Sequence, residues 1–167
     1  MYAKRYRSVL IEDLPLDMSN LSHEYGVAIN GKFMGLRYYF VDKDTVKKLL
    51  DSLVPKEFHE NFEVFLMVIN SKYVLPHSDN DISVVINYYV KTAEATTVFW
   101  KLKDETAVKD VPIYTEHELI PIESFKAEPN EAWVLDIKQI HSVVCQEDTL
   151  RMAYCLQSKV CKFCQLN

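Results

Sequence analysis

Hydrophobic and polar positions divide the chain into short, dense apolar runs set between polar clusters. "FMGLRYYF" (33–40), "EVFLMVI" (63–69), "ISVVINYYV" (82–90), "TVFWKL" (97–102), "AWVLDI" (132–137) and "MAYCLQ" (152–157) are rich in β-branched and aromatic residues, the pattern of strands. Shorter strand candidates are 73–77, 111–114 and 142–145. One stretch has a different period. In "DKDTVKKLLDSL" Val46, Leu49, Leu50 and Leu53 recur at helical spacing, with Asp44 as the predicted N-cap. Six to nine short strands after one early helix predict a mainly β sandwich or barrel with the helix packed outside it.

Length and composition narrow this picture. At 167 residues, 49% of them hydrophobic, the chain suits one domain with a full core and is not a disordered protein. A net charge of −5 supplies no broad basic surface, which argues against nucleic acid and favours small molecules or proteins as partners. The N-terminus lacks the apolar stretch of a signal peptide, and no segment approaches the ~20 apolar residues of a membrane span. The expectation is a soluble intracellular, cytoplasmic protein. Cys145, Cys155, Cys161 and Cys164 all fall in the last quarter of the chain, where they cannot staple the whole fold; free thiols are expected, and the lone CxxC of "CKFC" is weak evidence for zinc.

Glycine excludes more. It occurs only at positions 26, 31 and 35, so no GxGxxG loop, phosphate-binding P-loop or GxSxG elbow exists. Turns must instead use Asn80-Asp81, Asp104-Glu105, Pro129-Asn130 and Glu147-Asp148, whose polar members bond their own backbone.

Candidate chemistry lies in "PHSDND" (76–81). On an extended segment His77 and Asp79 point to the same side and can bind one ion. His141, opening the strand candidate in "DIKQIHSVV", is the best third ligand. Two histidines and a carboxylate with open positions form the facial triad of non-haem iron oxygenases. HxD alone is common by chance, but Arg151 follows His141 by ten residues, on a strand expected to lie beside the one that His141 begins. Its guanidinium suits a carboxylate. His23, His59 and His117 read as surface residues, and Trp100 and Trp133 as core.

From "HSD" through "VINYYVK", "TTVFW", "EPNEAWVLD" and "IHSV" to "LRMAYCLQ", the chain resembles the Fe(II)- and 2-oxoglutarate-dependent dioxygenases, specifically their small prolyl-hydroxylase-like members. The resemblance implies a double-stranded β-helix, or jelly roll, in which 62–157 is the catalytic core, 1–60 a supporting helix-and-strand region and 158–167 a tail. It implies His77, Asp79 and His141 as iron ligands, and Arg151 and Tyr89 on the distal carboxylate of 2-oxoglutarate with Asn87 facing the same pocket. It implies O2 as the oxidant. Ala95 and Thr96 stand where many relatives have two glycines, and Asn130-Glu131 replace another. Ala153 replaces a hydroxyl found in some relatives, so Tyr89 or Thr97 must supply the second carboxylate contact. The substrate class implied is an amino-acid side chain on a protein or peptide, with a free small molecule next. Two alternatives stay open, a cupin-like metal-binding protein without 2-oxoglutarate chemistry and a purely structural jelly roll.

Overall fold

The computed structural model describes residues 1–20, 24–29, 32–79, 81–110, 112–145 and 150–162. In chain order the elements are β1 (Ala3–Ser8), β2 (Glu24–Ile29), β3 (Lys32–Phe40), α1 (Lys43–Leu53), β4 (Glu63–Ile69), β5 (Tyr73–His77), β6 (Val84–Lys91), β7 (Thr96–Leu102), β8 (Leu119–Lys126), β9 (Glu131–Leu135), β10 (His141–Val144) and β11 (Arg151–Ser158), with short 3-10 turns at Met18–Asn20, Lys56–Asn61 and Glu116–Glu118.

From β4 to β11 the chain is one long hairpin. β7 pairs with β8, β6 with β9, β5 with β10 and β4 with β11, all antiparallel. The hairpin is coiled on itself, so β6 also pairs with β11 and β7 with β10. Coiling distributes it over two sheets, β9-β6-β11-β4 in one and β5-β10-β7-β8 in the other. That is a jelly roll. The first sheet is widened to seven strands by β1 beside β9 and by β3 and β2 beyond β4.

The central strands of the larger sheet are apolar on both faces because both are covered. One face of β4, β6 and β11 (Leu66, Ile86 and Tyr154 among others) packs against Leu49, Leu50 and Leu53 of α1. The opposite face (Met67, Ile69, Tyr89, Ala153) meets Val74, Phe99 and Val143 of the smaller sheet. This explains why "EVFLMVI" is continuous rather than alternating. Leu49 and Leu53 are fully buried; burial of each is worth roughly 1.5–3 kcal/mol. Leu53→Ala would detach the helix most directly, at about 2–5 kcal/mol.

Several expectations need correction. The helix is capped by Asp42, not Asp44: Asp42 Oδ1 accepts from the Thr45 amide at 2.9 Å and Oδ2 from the Thr45 hydroxyl at 2.7 Å. Pro55 follows its C-cap, Val54, and stops it. β1, β2 and β8 are not among the strand segments named from the sequence, although further strands were expected within 1–60. β1 and β8 are edge strands with one open side, and β8 is exposed at five of its eight positions, so neither carries a strong apolar pattern. The 111–114 candidate reduces to a single bridge, Ile113 to His77, with Val111 outside the described residues. β11 does not lie beside β10. The chain crosses from the smaller to the larger sheet between them, so Arg151 and His141 sit on opposing sheets. His59 is partly buried, its Nε2 2.9 Å from the Val54 carbonyl.

Among the described residues, the turns after β3 are built without glycine. Ala93 and Glu94 take φ of 52° and 48° between β6 and β7, closed by the Ala95 amide on the Thr92 carbonyl at 2.9 Å. Asn130 takes φ 67°, a conformation that favours glycine, and its side chain accepts from Tyr88 Oη at 3.0 Å. Asn80, Glu147 and Asp148 lie outside the described residues.

Candidate metal centre and anion pocket

β5 ends on His77 and β10 begins on His141, and the ladder places the two residues opposite each other with ring centroids 4.5 Å apart. Each ring is anchored by its own chain. His77 Nδ1 lies 2.7 Å from the Leu75 carbonyl and His141 Nδ1 3.0 Å from the Gln139 carbonyl. A carbonyl can only accept, so Nδ1 carries the proton in both rings and each Nε2 keeps its lone pair. Asp79 follows two residues beyond His77, its amide held by the Ile137 carbonyl at 3.0 Å. Its Oδ2 is 4.0 Å from His77 Nε2 and 3.7 Å from His141 Nε2.

These three donor atoms lie within 4.8 Å of one another and could hold a divalent ion. Bonds of about 2.1 Å set donor separations near 3 Å. Asp79, whose side chain is 40% exposed, has room to close that gap. His141 is suited to ligation at neutral pH: burial, then the neighbouring His77, lowers its pKa to about 4. The backbone segment 112–114 runs alongside, with the Ser78 amide on the Pro112 carbonyl at 3.3 Å and the Tyr114 amide on the Pro76 carbonyl at 2.9 Å.

A pocket with a cavity volume of about 50 Å³ opens between the sheets behind these three side chains, walled by Ile69, Val74, Val85, Leu135 and Val143. Arg151 enters it from β11 and is only 2% exposed. Its Nη2 donates to Thr97 Oγ1 on the opposite sheet at 3.0 Å, and its Cζ stands 4.8 Å from the Tyr89 ring centroid. Nε and Nη1 have no hydrogen-bond partner. A buried guanidinium with two unused donors fits an anion, because leaving such groups unpaired costs free energy that a carboxylate would recover. Thr97 lies two residues along β7 from Phe99, the register partner of His141. The guanidinium is therefore anchored about 7 Å along the strand from the histidine level, near the reach of a five-carbon dicarboxylate.

Asn87 faces the same pocket, its Nδ2 3.4 Å from Tyr89 Oη and its Oδ1 without a partner. Ala153 stands opposite Tyr89 and is fully buried, leaving the wall to the larger ring. The structure thus gathers His77, Asp79, His141, Arg151, Tyr89 and Asn87 around one pocket. Sequence reasoning did not single out Cys155 and Gln157 as wall residues, although both follow Arg151 at strand period. Cys145, Cys155 and Cys161 are buried free thiols, and burial pushes Cys155 up to about 12. Cys164 lies outside the described residues.

No protein-family model matches the sequence, and no curated protein matches it. Solved structures do. The 2-oxoglutarate (alpha-ketoglutarate)-dependent non-haem epimerase SnoN of nogalamycin biosynthesis aligns with TM-score 0.51 and 9% identity over 84% of this chain and 68% of its own. Escherichia coli YcfD aligns with TM-score 0.50 and 11% identity over 76% of this chain and 34% of its own. The fold is a double-stranded β-helix. Hazelnut (Corylus avellana) vicilin also aligns, at TM-score 0.45 and 16% identity over 84% of this chain. The chain spans about a third of the length of that vicilin and of YcfD. Among the described residues, no helix is long and apolar enough to cross a membrane.

Proposed function

We propose that this double-stranded β-helix is a non-haem iron oxygenase that couples oxidative decarboxylation of 2-oxoglutarate to hydroxylation of a C–H bond on a protein or peptide side chain. The observation that carries the reading is the Arg151 guanidinium, buried with two unpartnered nitrogens on the sheet opposite the His77, Asp79 and His141 cluster. A cupin-like metal site has no use for this cation. SnoN uses 2-oxoglutarate on the same fold.

In this reading His77 and His141 present Nε2 lone pairs, and Asp79 adds one negative charge to the same face. Iron(II) held there, with 2-oxoglutarate and O2, supplies the oxidising chemistry. Arg151 grips the distal carboxylate, with Thr97 fixing the guanidinium and Tyr89 stacked beneath it. Asn87 steadies the Tyr89 hydroxyl, which is then oriented toward the same carboxylate. The apolar walls exclude water and strengthen that charge pairing. Segment 112–114, bonded to the strand end that carries His77, forms one lip of the substrate entrance.

Conversion of 2-oxoglutarate to succinate by purified protein supplied with iron(II) tests this. The reading expects succinate that depends on both iron and His141. No succinate at any iron supply would remove the oxygenase reading and leave the cupin-like one.

A further inference from the structure

Gln157 belongs to two concave surfaces at once. On one side it lines the pocket of His77, Asp79 and His141; on the other it lines a groove of about 210 Å³ with Glu60, Glu63, Ile82, Lys159 and Val160. The ladders order these residues. Gln157 stands opposite Glu63 of β4, and two residues earlier Cys155 stands opposite Asn87 of β6. From Asn87 to Glu63 is thus two residues along and two strands across, about 12 Å.

Along this path the polar groups without partners are mostly acceptors. Asn87 is 6% exposed and its Oδ1 is unpartnered. Gln157 Nε2 donates to Cys155 Sγ at 3.3 Å, which leaves its amide oxygen as an acceptor. Glu60 and Glu63 are exposed carboxylates facing one cation, Lys159, so the groove is net negative. Ile82 and Val160, the latter 65% exposed, add apolar surface beside the carboxylates. Acceptors at the head and apolar contact along the stem match the amphipathic side chain of lysine or arginine. A neutral segment would gain no charge pairing from Glu60 and Glu63, and an acidic one would be repelled by them.

We propose, on the basis of the oxygenase reading, that this groove binds a peptide segment of a protein substrate with a lysine or arginine close to the oxidised residue. Asn87 Oδ1 accepts an N–H of the target residue, and Glu60 and Glu63 take the cation. A basic side chain reaches about 6 Å, so the remaining distance is one or two residues of extended chain, at about 3.4 Å each.

The test uses the full chain loaded with Mn(II) and 2-oxoglutarate, and two fluorescein-labelled nonapeptides of glycine, alanine and proline. They differ only in carrying two arginines or two glutamates near the centre. By fluorescence anisotropy the arginine peptide is expected to bind and the glutamate peptide not. Glu60→Gln with Glu63→Gln weakens binding about five- to tenfold, as expected for two exposed ion pairs. Glu12→Gln with Glu105→Gln, an equal charge change elsewhere on the surface, leaves it within about twofold. Equal binding of the two peptides, no binding of the arginine peptide, or equal weakening by both double variants overturns the inference. Calorimetry of metal and 2-oxoglutarate on the same samples keeps the two proposals apart. If both ligands bind but the peptides are not discriminated, the groove assignment alone falls. If neither ligand binds while arginine-peptide binding still depends on Glu60 and Glu63, the oxygenase reading falls and the groove stands as a cationic-peptide site.

Discussion

His77 and His141 face each other across the β5–β10 ladder, and each ring is pinned through Nδ1 to the carbonyl two residues before it in its own chain. Backbone register therefore brings the two Nε2 atoms together, and Asp79 joins them from just beyond the same strand end, an arrangement that could hold a metal ion. His77→Ala and His141→Ala should each abolish stoichiometric metal retention while the protein stays folded, and Asp79→Ala should weaken it. Metal analysis of desalted protein checks this. Zinc that persists in His77→Ala but disappears in Cys161→Ser would place the site on the cysteines instead.

The same burial makes metal-free protein sensitive to acid. His141 has a folded-state pKa lowered to about 4, first by burial and then by His77, against an unfolded value near 6.5. Between those values the unfolded chain binds the proton and the folded one does not, so stability falls as pH drops from about 6.5 toward 4 and is unaffected above that window. The shift corresponds to at most about 3 kcal/mol. Urea unfolding from pH 4 to 8 should show a steeper loss for the metal-free parent than for His141→Gln. Parallel profiles would contradict the assignment.

Arg151 is a cost to the empty protein. With Nε and Nη1 unpartnered at 2% exposure, Arg151→Met should stabilise the ligand-free protein by about 1–3 kcal/mol, less whatever its contacts to Thr97 and Tyr89 contribute. 2-Oxoglutarate at a hundred times its dissociation constant should stabilise the metal-loaded parent by about 2.7 kcal/mol and leave Arg151→Met unchanged. Thermal or urea unfolding with and without the dicarboxylate measures both effects.

The turn after β6 stores backbone strain, because Ala93 and Glu94 both hold positive φ without being glycine. Two successive positive values belong to a type I′ hairpin, which favours Asn-Gly. Ala93→Asn with Glu94→Gly should raise stability by about 1 kcal/mol. A loss of stability would mean that the Ala93 or Glu94 side chain makes contacts that outweigh the strain.

Much of the fold was legible because the coiled hairpin buries its strands on both faces. β4, β6, β7 and β11 appear as dense apolar runs, and α1 stands out by its period. β1 and β8 stayed hidden, since an edge strand such as "LIPIESFK" needs only a few buried side chains and tolerates Pro121. The clustering of His77, Asp79 and His141 could be read from HxD and a strand-opening histidine. The placement of Arg151 could not be read correctly, because adjacency in sequence suggested a neighbouring strand whereas the guanidinium reaches across from the other sheet to Thr97. Thr97 was already a candidate for the carboxylate contact, yet its role in fixing Arg151 depends on inter-sheet distance, which no local pattern encodes. Gln157 could have been found by continuing the period-two count from Arg151.

The central claim is that a dicarboxylate bridges the His77, Asp79 and His141 centre and Arg151. Isothermal titration of 2-oxoglutarate into Mn(II)-loaded protein tests it most directly, with Tyr89→Phe and Arg151→Ala as comparisons. Removing the partner of a buried charge costs about 3–5 kcal/mol, so Arg151→Ala should weaken 2-oxoglutarate by at least about a hundredfold with Mn(II) affinity unchanged, and Tyr89→Phe should do so more mildly. Binding of 2-oxoglutarate to Arg151→Ala as tight as to the parent, or no binding to the metal-loaded parent at all, would contradict the account.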